Sequence, residues 1–387
     1  MPQALVGRLA APADLAGLAA ALQAGARNGA TFHVRGSGQW WTDAAPACEI
    51  LTTSALDAVS DFNPADLVVT AGAGAPLATI AARLAARGAF LALDPPGPPS
   101  RTLGGVLAAG GPGPLAAHFG SVRDQVLGLV VVAGNGTLIR LGGRVVKNVA
   151  GFDLAKLVIG GHGGFGVIAE AHLRLRALPQ ADRTWAWRGS AEWAARAGAA
   201  ALGSGALPAA LEVVSPELAA RLGWGDGWVL AARALGSEAG VAEELETVAR
   251  AAGREPAATP DGDAAWLEWR RAVGDWPAVL RIGSEPASWV EAVRLAQRHL
   301  GTLLGVSVTV PRGTVRVGAA ALEPDSARRL RGDAATRGWP VTLERADEPT
   351  RVAVGVWGAL PPATERITRA LKAVFDPPGC LAVPLLS

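Results

Sequence analysis

The chain has 387 residues, of which 50% are hydrophobic and 18% charged, with a net charge of +2. That length suggests two domains, with three as the alternative, and leaves ample apolar material for a core. No basic run is interleaved with aromatic residues, which excludes a nucleic-acid-binding role. Cys48 and Cys380 are the two cysteines and lie far apart. They form no CxxC and no disulfide framework, which fits a reducing compartment. An iron–sulfur cluster held by this chain alone is excluded, because it needs about four ligands, and no metal-ligating set is read.

The N-terminal stretch MPQALVGRLAAPADLAGLAAALQAG is broken by Arg8 and Asp14 and lacks a basic leader. It reads as a strand and then a helix of the mature protein, not as a signal peptide. Residues 31–34 read as a strand running into RGSGQWW. Residues 66–74 form a strand ending in glycines, 76–88 a helix with Pro in its first turn and Gly at its end, and 89–94 another strand. A Pro/Gly-rich loop with a short helical turn follows, in PPGPPSRTLGGVLAAGGPGP. Residues 124–143 read as a hairpin turning at Gly134-Asn135-Gly136.

Composition shifts near Pro179: of 13 tryptophans, only Trp40 and Trp41 precede it. Beyond it, strands (TWAWRG, GWVLAARALG, AVLRIG, TVRVGAAAL) alternate with helices (SAEWAARAGAAAL, EAGVAEELETVARAAG, ASWVEAVRLAQRHL, PDSARRLRGDAATRG). The expected class is α+β, with a first domain over 1–179 and a second over 180–387. The second is expected to be a mostly antiparallel sheet with helices on one face. Trp266, Trp269 and Trp276 stand out in WLEWRRAVGDW as interface candidates, on a helix face read as exposed. No run of ~18 uninterrupted apolar residues occurs, so no membrane span is expected.

Gly161-His162-Gly163-Gly164-Phe165-Gly166 is a literal G-x-G-x-x-G. A dinucleotide fingerprint must open a helix, because exposed helix N–H groups hold the pyrophosphate. Here Glu170, His172, Arg174 and Arg176 alternate with Ala171, Leu173 and Leu175, which is the period of a strand. The segment Gly72-x-Gly74 is better placed, between a strand and a helix, with Asp94 about 20 residues on as a ribose-binding candidate. Leu77 at its third position speaks against it. The alternative is an ordinary helix packed on a sheet.

Several segments taken together make a stronger case. FHVRGSGQWW, VVTAGAGAPLATIAARLAARG, PPGPPSRTLGGVLAAGGPGP, GSVRDQVLGLVVVAGNGTLIRLGG and RVVKNVAGFDLAKLVIGGHGGFGVIAEAHLRLRALP follow one another over residues 32–179. A weaker match is the C-terminal LKAVFDPPGCL. This order resembles the FAD-binding domain of the vanillyl-alcohol-oxidase-type (PCMH-type) flavoproteins. It is similar above all to the FAD-binding subunits of bacterial glycolate oxidases. The resemblance implies a two-subdomain PCMH-type FAD-binding domain, then an α+β cap domain whose tail returns to the flavin domain. It implies a pyrophosphate loop at Arg35, Gly36, Ser37, Gly38, Gln39 and Trp40, whose glycines permit a nest of N–H groups. Thr102, Gly104 and Gly105 begin a short helix aimed at the cofactor, and Gly163, Gly164, Gly166 and Val167 line it. A plain tight turn and a glycine-rich helix crossing remain the alternatives for the first two. Gln39 stands where covalent relatives carry His, so FAD is expected to be non-covalent.

The implied chemistry is flavin oxidation of a small 2-hydroxy acid such as glycolate, which needs a base for the hydroxyl proton and a cation for the carboxylate. The five histidines, His33, His118, His162, His172 and His299, do not supply the His-rich set of catalytic relatives. His162 reads as a loop residue and His299 as a surface or capping residue, so no catalytic residue is assigned. Lys147 and Asn148 border the flavin in the resemblance, with a buried salt-bridging Lys as the alternative. Leu115-Ala116 after Gly113-Pro114, and a tail keeping only Pro384, depart from the pattern. The reading is a cytoplasmic FAD-binding subunit of a glycolate oxidase complex, alongside a related flavoprotein subunit and an iron–sulfur subunit. Peripheral attachment to the inner membrane through partners stays open. A standalone FAD-linked oxidase and a scaffold that has lost its flavin are the alternatives.

Overall fold

The computed structural model describes residues 9–38, 48–63, 65–144 and 153–382. Its first half runs β1 (Leu9–Ala10), α1 (Leu15–Asn28), β2 (Phe32–Arg35), β3 (Glu49–Thr52), β4 (Val59–Asn63), β5 (Val68–Gly72), α2 (Leu77–Ala85) and β6 (Ala89–Phe90). It continues with α3 (Leu103–Ala109), α4 (Ala116–Phe119), β7 (Val126–Val132), β8 (Leu138–Gly142), α5 (Leu154–Val158), β9 (Val167–Arg174) and β10 (Arg176–Ala177).

Beside a short antiparallel pair of β6 with β10, two main sheets divide this half. The smaller is parallel, in the order β1-β3-β2, with α1 crossing between its outer strands. Asp14 starts α1 by accepting a 2.7 Å hydrogen bond from the Gly17 N–H, and Gly29 ends it in the left-handed region at φ 67°. Both ends therefore satisfy backbone groups that a helix leaves open. The larger sheet is antiparallel, in the order β4-β5-β9-β7-β8. Along β9, Ala171 and Leu173 are buried while Glu170, His172 and Arg174 are half-exposed, so the period-two pattern places one face on a core with Leu129, Val131, Ile80 and Leu107. The expected hairpin is β7–β8, with the Asn135 carboxamide accepting from the Thr137 N–H at 3.0 Å in its turn.

The second half runs β11 (Ala181–Gly189), α6 (Ala191–Gly203), β12 (Ala210–Val214), α7 (Pro216–Leu222), β13 (Trp228–Gly236), α8 (Glu238–Ala252), α9 (Gly262–Gly274) and β14 (Ala278–Gly283). Then follow α10 (Trp289–Leu300), β15 (Gly305–Thr309), β16 (Thr314–Ala319), α11 (Pro324–Ala335), β17 (Val341–Arg345), α12 (Glu348–Val354) and α13 (Pro362–Phe375). Its strands make one antiparallel sheet of seven, in the order β11-β13-β12-β15-β16-β14-β17. Leu211, Val213, Leu230 and Ala232 face the helical layer α6, α8, α10 and α11. Residues one step out of phase, Ala210, Val214, Val229 and Ala231, face α7 and α9. The expectation of helices on one face is thus corrected to helices on both, because these strands are apolar on both sides.

The second correction concerns the tryptophans. Trp266, Trp269 and Trp276 are 1%, 0% and 2% exposed, so they are core and not interface. Trp266 donates to Thr184 Oγ1 at 2.9 Å and Trp269 to Ser307 Oγ at 3.1 Å, so the indole N–H groups are satisfied inside. Trp276 lies on Gly305 and Gly318, where an added Cβ would come within 2.7 and 2.2 Å of its ring. The chain ends back on the first half: Phe375 joins the core of the larger sheet, and Leu381 bridges to Phe32 beside the parallel sheet.

Candidate functional site

A cleft of about 490 Å³ opens where β2 ends. Val34, Arg35, Gly36, Ser37 and Gly38 form one wall, and Arg101, Thr102, Gly105, Ala108 and Ala109 of α3 and its approach form the other. The walls meet closely because Gly36 has no side chain: a Cβ there would lie 2.1 Å from Thr102 Oγ1. Gly38 takes φ 73° against the Arg35 guanidinium, a turn that glycine adopts without strain. Thr102 Oγ1 is buried and has no hydrogen-bond partner among the described residues. Among the described residues, the lining carries Arg35 and Arg101 and no carboxylate.

Part of the predicted set lies elsewhere. Gly104 packs on Ala73, where a Cβ would come within 2.6 Å of the alanine methyl. Gly166 packs on Val131, and Val167 is fully buried at the start of β9. Gly164 closes a turn onto the Gly161 carbonyl, and Gly163 sits against Val34 at the edge of the cleft. Gln39, Trp40, Lys147 and Asn148 lie outside the described residues.

His162 joins the cleft from the glycine loop. The His162 N–H donates to the Ala108 carbonyl at 2.9 Å, and its backbone is left-handed at φ 48°. Its ring meets Trp357 edge-on, with centroids 5.2 Å apart. Burial, then the charge of Arg281, pushes the imidazole down to about 4, with Glu344 acting the other way. The ring is therefore neutral at pH 7. It is a loop residue, as read, and also part of the cleft wall.

Trp357 connects His162 to the second sheet. Its neighbour Val356 accepts a backbone bond from Leu343 of β17 at 2.8 Å. Next in β17, buried Glu344 accepts from Arg281 Nε at 2.7 Å and Arg316 Nε at 2.8 Å. Burial alone would raise Glu344, but the two guanidiniums outweigh it and hold the carboxyl below its usual value. Arg316 also reaches across to the Pro112 carbonyl at 2.5 Å. Burial lowers Arg101, on the cleft side of this junction, to about 10. Sequence reasoning missed Arg281, Arg316, Glu344 and Trp357. The signal was present: AVLRIG, TVRVGA and VTLER each place a charge inside an otherwise apolar strand, which is uneconomical unless the charge is paired.

The two fingerprint alternatives are excluded by what surrounds them. The strand β9, not a helix, follows the G-x-G-x-x-G. Gly72 and Gly74 accommodate the Leu56 and Thr53 carbonyls, which a Cβ would approach to 2.0 and 2.2 Å. Asp94 is buried and accepts the Leu115 N–H on both oxygens at 3.2 and 3.0 Å, so it braces a loop instead of holding a ribose. The remaining histidines are dispersed. His172 meets Thr70, His118 the Leu207 carbonyl, and His299 bridges α10 to Asp333 of α11 at 2.8 Å.

Residues 7–142 match the family model described as an FAD binding domain. The chain carries an FAD-binding domain. Among curated relatives, glycolate oxidase subunit GlcE of Escherichia coli K12 is 42% identical over 125 residues, 32% of this chain and 36% of that protein. The mitochondrial D-lactate dehydrogenase [cytochrome] of Arabidopsis thaliana is 43% identical over 93 residues, 24% of this chain and 16% of that protein. Glycolate oxidase subunit GlcD of Bacillus subtilis is 30% identical over 135 residues, 35% of this chain and 29% of that protein. The match thus spans little more than a third of these relatives at most. The solved structure of an alkyldihydroxyacetonephosphate synthase superposes with TM-score 0.70 at 16% identity, covering 96% of this chain and 76% of that one, which extends the shared fold through the second half.

The cleft fits FAD. An anionic pyrophosphate would be met by arginines, the Thr102 hydroxyl and a glycine turn, with no opposing carboxylate among the described lining residues.

Proposed function

We propose that this chain is the FAD-binding subunit of a glycolate-type 2-hydroxy-acid oxidase complex, taking part in flavin-mediated electron transfer. The observation that carries this reading is the glycine-lined cleft within a segment that matches FAD-binding domains, together with the likeness to GlcE. In this reading residues 1–179 form the flavin domain and 180–387 a cap whose tail returns to it. Arg35, Gly36, Ser37 and Gly38, continued by Gln39 and Trp40, hold the pyrophosphate against Thr102 and Gly105, and Gly163 lies along the cofactor. FAD is non-covalent. Bound flavin supplies a two-electron acceptor for the substrate α-carbon hydrogen; the residues of this chain orient the ring and exclude water. A related flavoprotein and an iron–sulfur subunit complete the complex. Among the described residues no helix is long and apolar enough to cross a membrane, so attachment through partners is the proposed route to one.

A second reading, substrate oxidation by this chain itself, is favoured by one feature. Neutral His162 and Arg281 supply the two groups a hydroxy acid needs, a proton acceptor and a carboxylate anchor. Arg281 is partly exposed and uses Nε and Nη2 on Glu344 and Thr342, leaving Nη1 uncommitted.

Anaerobic titration of the yellow, FAD-loaded chain with glycolate tests both readings. Bleaching only with partner subunits present supports the subunit reading, and bleaching of the isolated chain supports the second. A colourless chain whose melting is unmoved by FAD would sink both. Acid precipitation should leave the yellow colour in the supernatant; colour retained in the pellet would refute non-covalent binding.

A further inference from the structure

Arg331 of α11 donates to four backbone carbonyls. Its Nε reaches Val341 of β17 at 3.3 Å, and its Nη1 reaches Val354, the last residue of α12. Its Nη2 donates to Gly355 at 2.8 Å and to Val356 at 2.7 Å. Burial alone moves the guanidinium, down to about 10, so backbone oxygens and not a paired carboxylate hold it. The end of a helix leaves carbonyls without N–H partners, and the fork of one guanidinium reaches several of them at once.

Three of these carbonyls belong to one turn. Gly355 and Gly358 bracket it in the left-handed region, at φ 63° and 73°. A Cβ on Gly358 would lie 3.1 Å from Arg331 Cδ, so the turn wraps the stem of the arginine. Between the two glycines stands Trp357. It packs against the core of the larger sheet in the first half and sets its ring edge-on to His162, with centroids 5.2 Å apart. His162 lines the cleft, whereas Arg331 does not. The path from Arg331 to the cleft therefore runs through the turn, Trp357 and His162.

We propose that Arg331 is a positioning residue for the cleft: by holding residues 354–358 it seats Trp357 on His162 and so fixes the wall that the glycine loop contributes. An element of the second half thereby shapes the cofactor site of the first. The role goes beyond the proposed function, and only its effect on FAD rests on that reading.

NMR titration of the full chain before FAD is added, with labelled histidines and His162→Gln for assignment, tests it. In the parent, burial and Arg281 should keep the His162 imidazole near 4, with Glu344 opposing. Arg331→Met and Trp357→Leu should each raise it toward the ordinary 6.5 by exposing the ring. The double variant should match Trp357→Leu, because Arg331 acts through Trp357. Arg331→Lys, with three donors in place of five, should lie between the parent and Arg331→Met. With FAD, ultrafiltration should show Kd raised about tenfold in each single variant and no further in the double. If Arg331→Met does not fold, Arg331→Lys carries the same comparison. A folded Arg331 variant with an unmoved His162 titration, whatever its melting temperature, would overturn the proposal, as would effects that add in the double variant. A parent that binds no FAD would instead sink the reading of the cleft, and the His162 titration would still decide the role of Arg331.

Discussion

The glycine-walled cleft and the junction behind it are built from opposite materials. On the cleft side, Gly36, Gly38 and Gly105 leave the space that the Thr102 and Arg35 side chains occupy, and the side chains that matter are few. On the junction side, Arg281, Arg316 and Glu344 stand on neighbouring strands of the second sheet and share one buried carboxylate. A site kept open by glycines fails when something is added to it, and a buried ion-pair site fails when something is taken away. This difference teaches where each half is vulnerable.

The largest test removes the shared charge. Glu344→Gln leaves two guanidiniums at the junction without a carboxylate and should cost about 3–5 kcal/mol in urea denaturation. Because the folded carboxyl is held below its unfolded value of 4.5, its contribution is present above that pH and lost as pH falls through the folded value. The variant should therefore show a shallower acid decline than the parent. A cost under about 1 kcal/mol would mean that the junction is no more than a surface pair.

Next comes Glu212, fully buried on β12, where burial raises the carboxyl to about 7 against bonds from Thr309 and Ser307. Between pH 4.5 and 7 the folded state holds a proton that the unfolded state has released, so stability falls as pH rises across that window. Glu212→Gln should stabilise by on the order of 3 kcal/mol at pH 8 and by little at pH 4, in paired denaturation curves. On the cleft side, Gly36→Val should weaken FAD binding by about 10- to 100-fold, read by ultrafiltration, while the far-UV spectrum holds. Unchanged affinity would break the reading of this wall as a cofactor cradle. The smallest effect calibrates the rest. Arg369 and Glu365 pair at 2.7 Å one turn apart on exposed α13, and Arg369→Ala should cost only about 0.3–0.5 kcal/mol.

The sequence by itself determined the units and much of the cleft. Alternation after Gly166 identified β9, Gly134-Asn135-Gly136 identified the hairpin, and Arg35-Gly36-Ser37-Gly38 with Thr102 and Gly105 marked both walls. These are local signals, since a turn needing φ > 0 or a period of two is written in adjacent residues. Gly104, Gly166 and Val167 looked the same in sequence but serve packing, because a glycine motif does not say which neighbour comes close. Only tertiary structure decided that Trp266, Trp269 and Trp276 are core, that Asp94 braces a loop, and that His162 meets Trp357 beside Arg281. Each of those roles depends on partners at least about 20 residues away in the chain, and charge pairing and burial are properties of neighbours in space, not of neighbours in sequence.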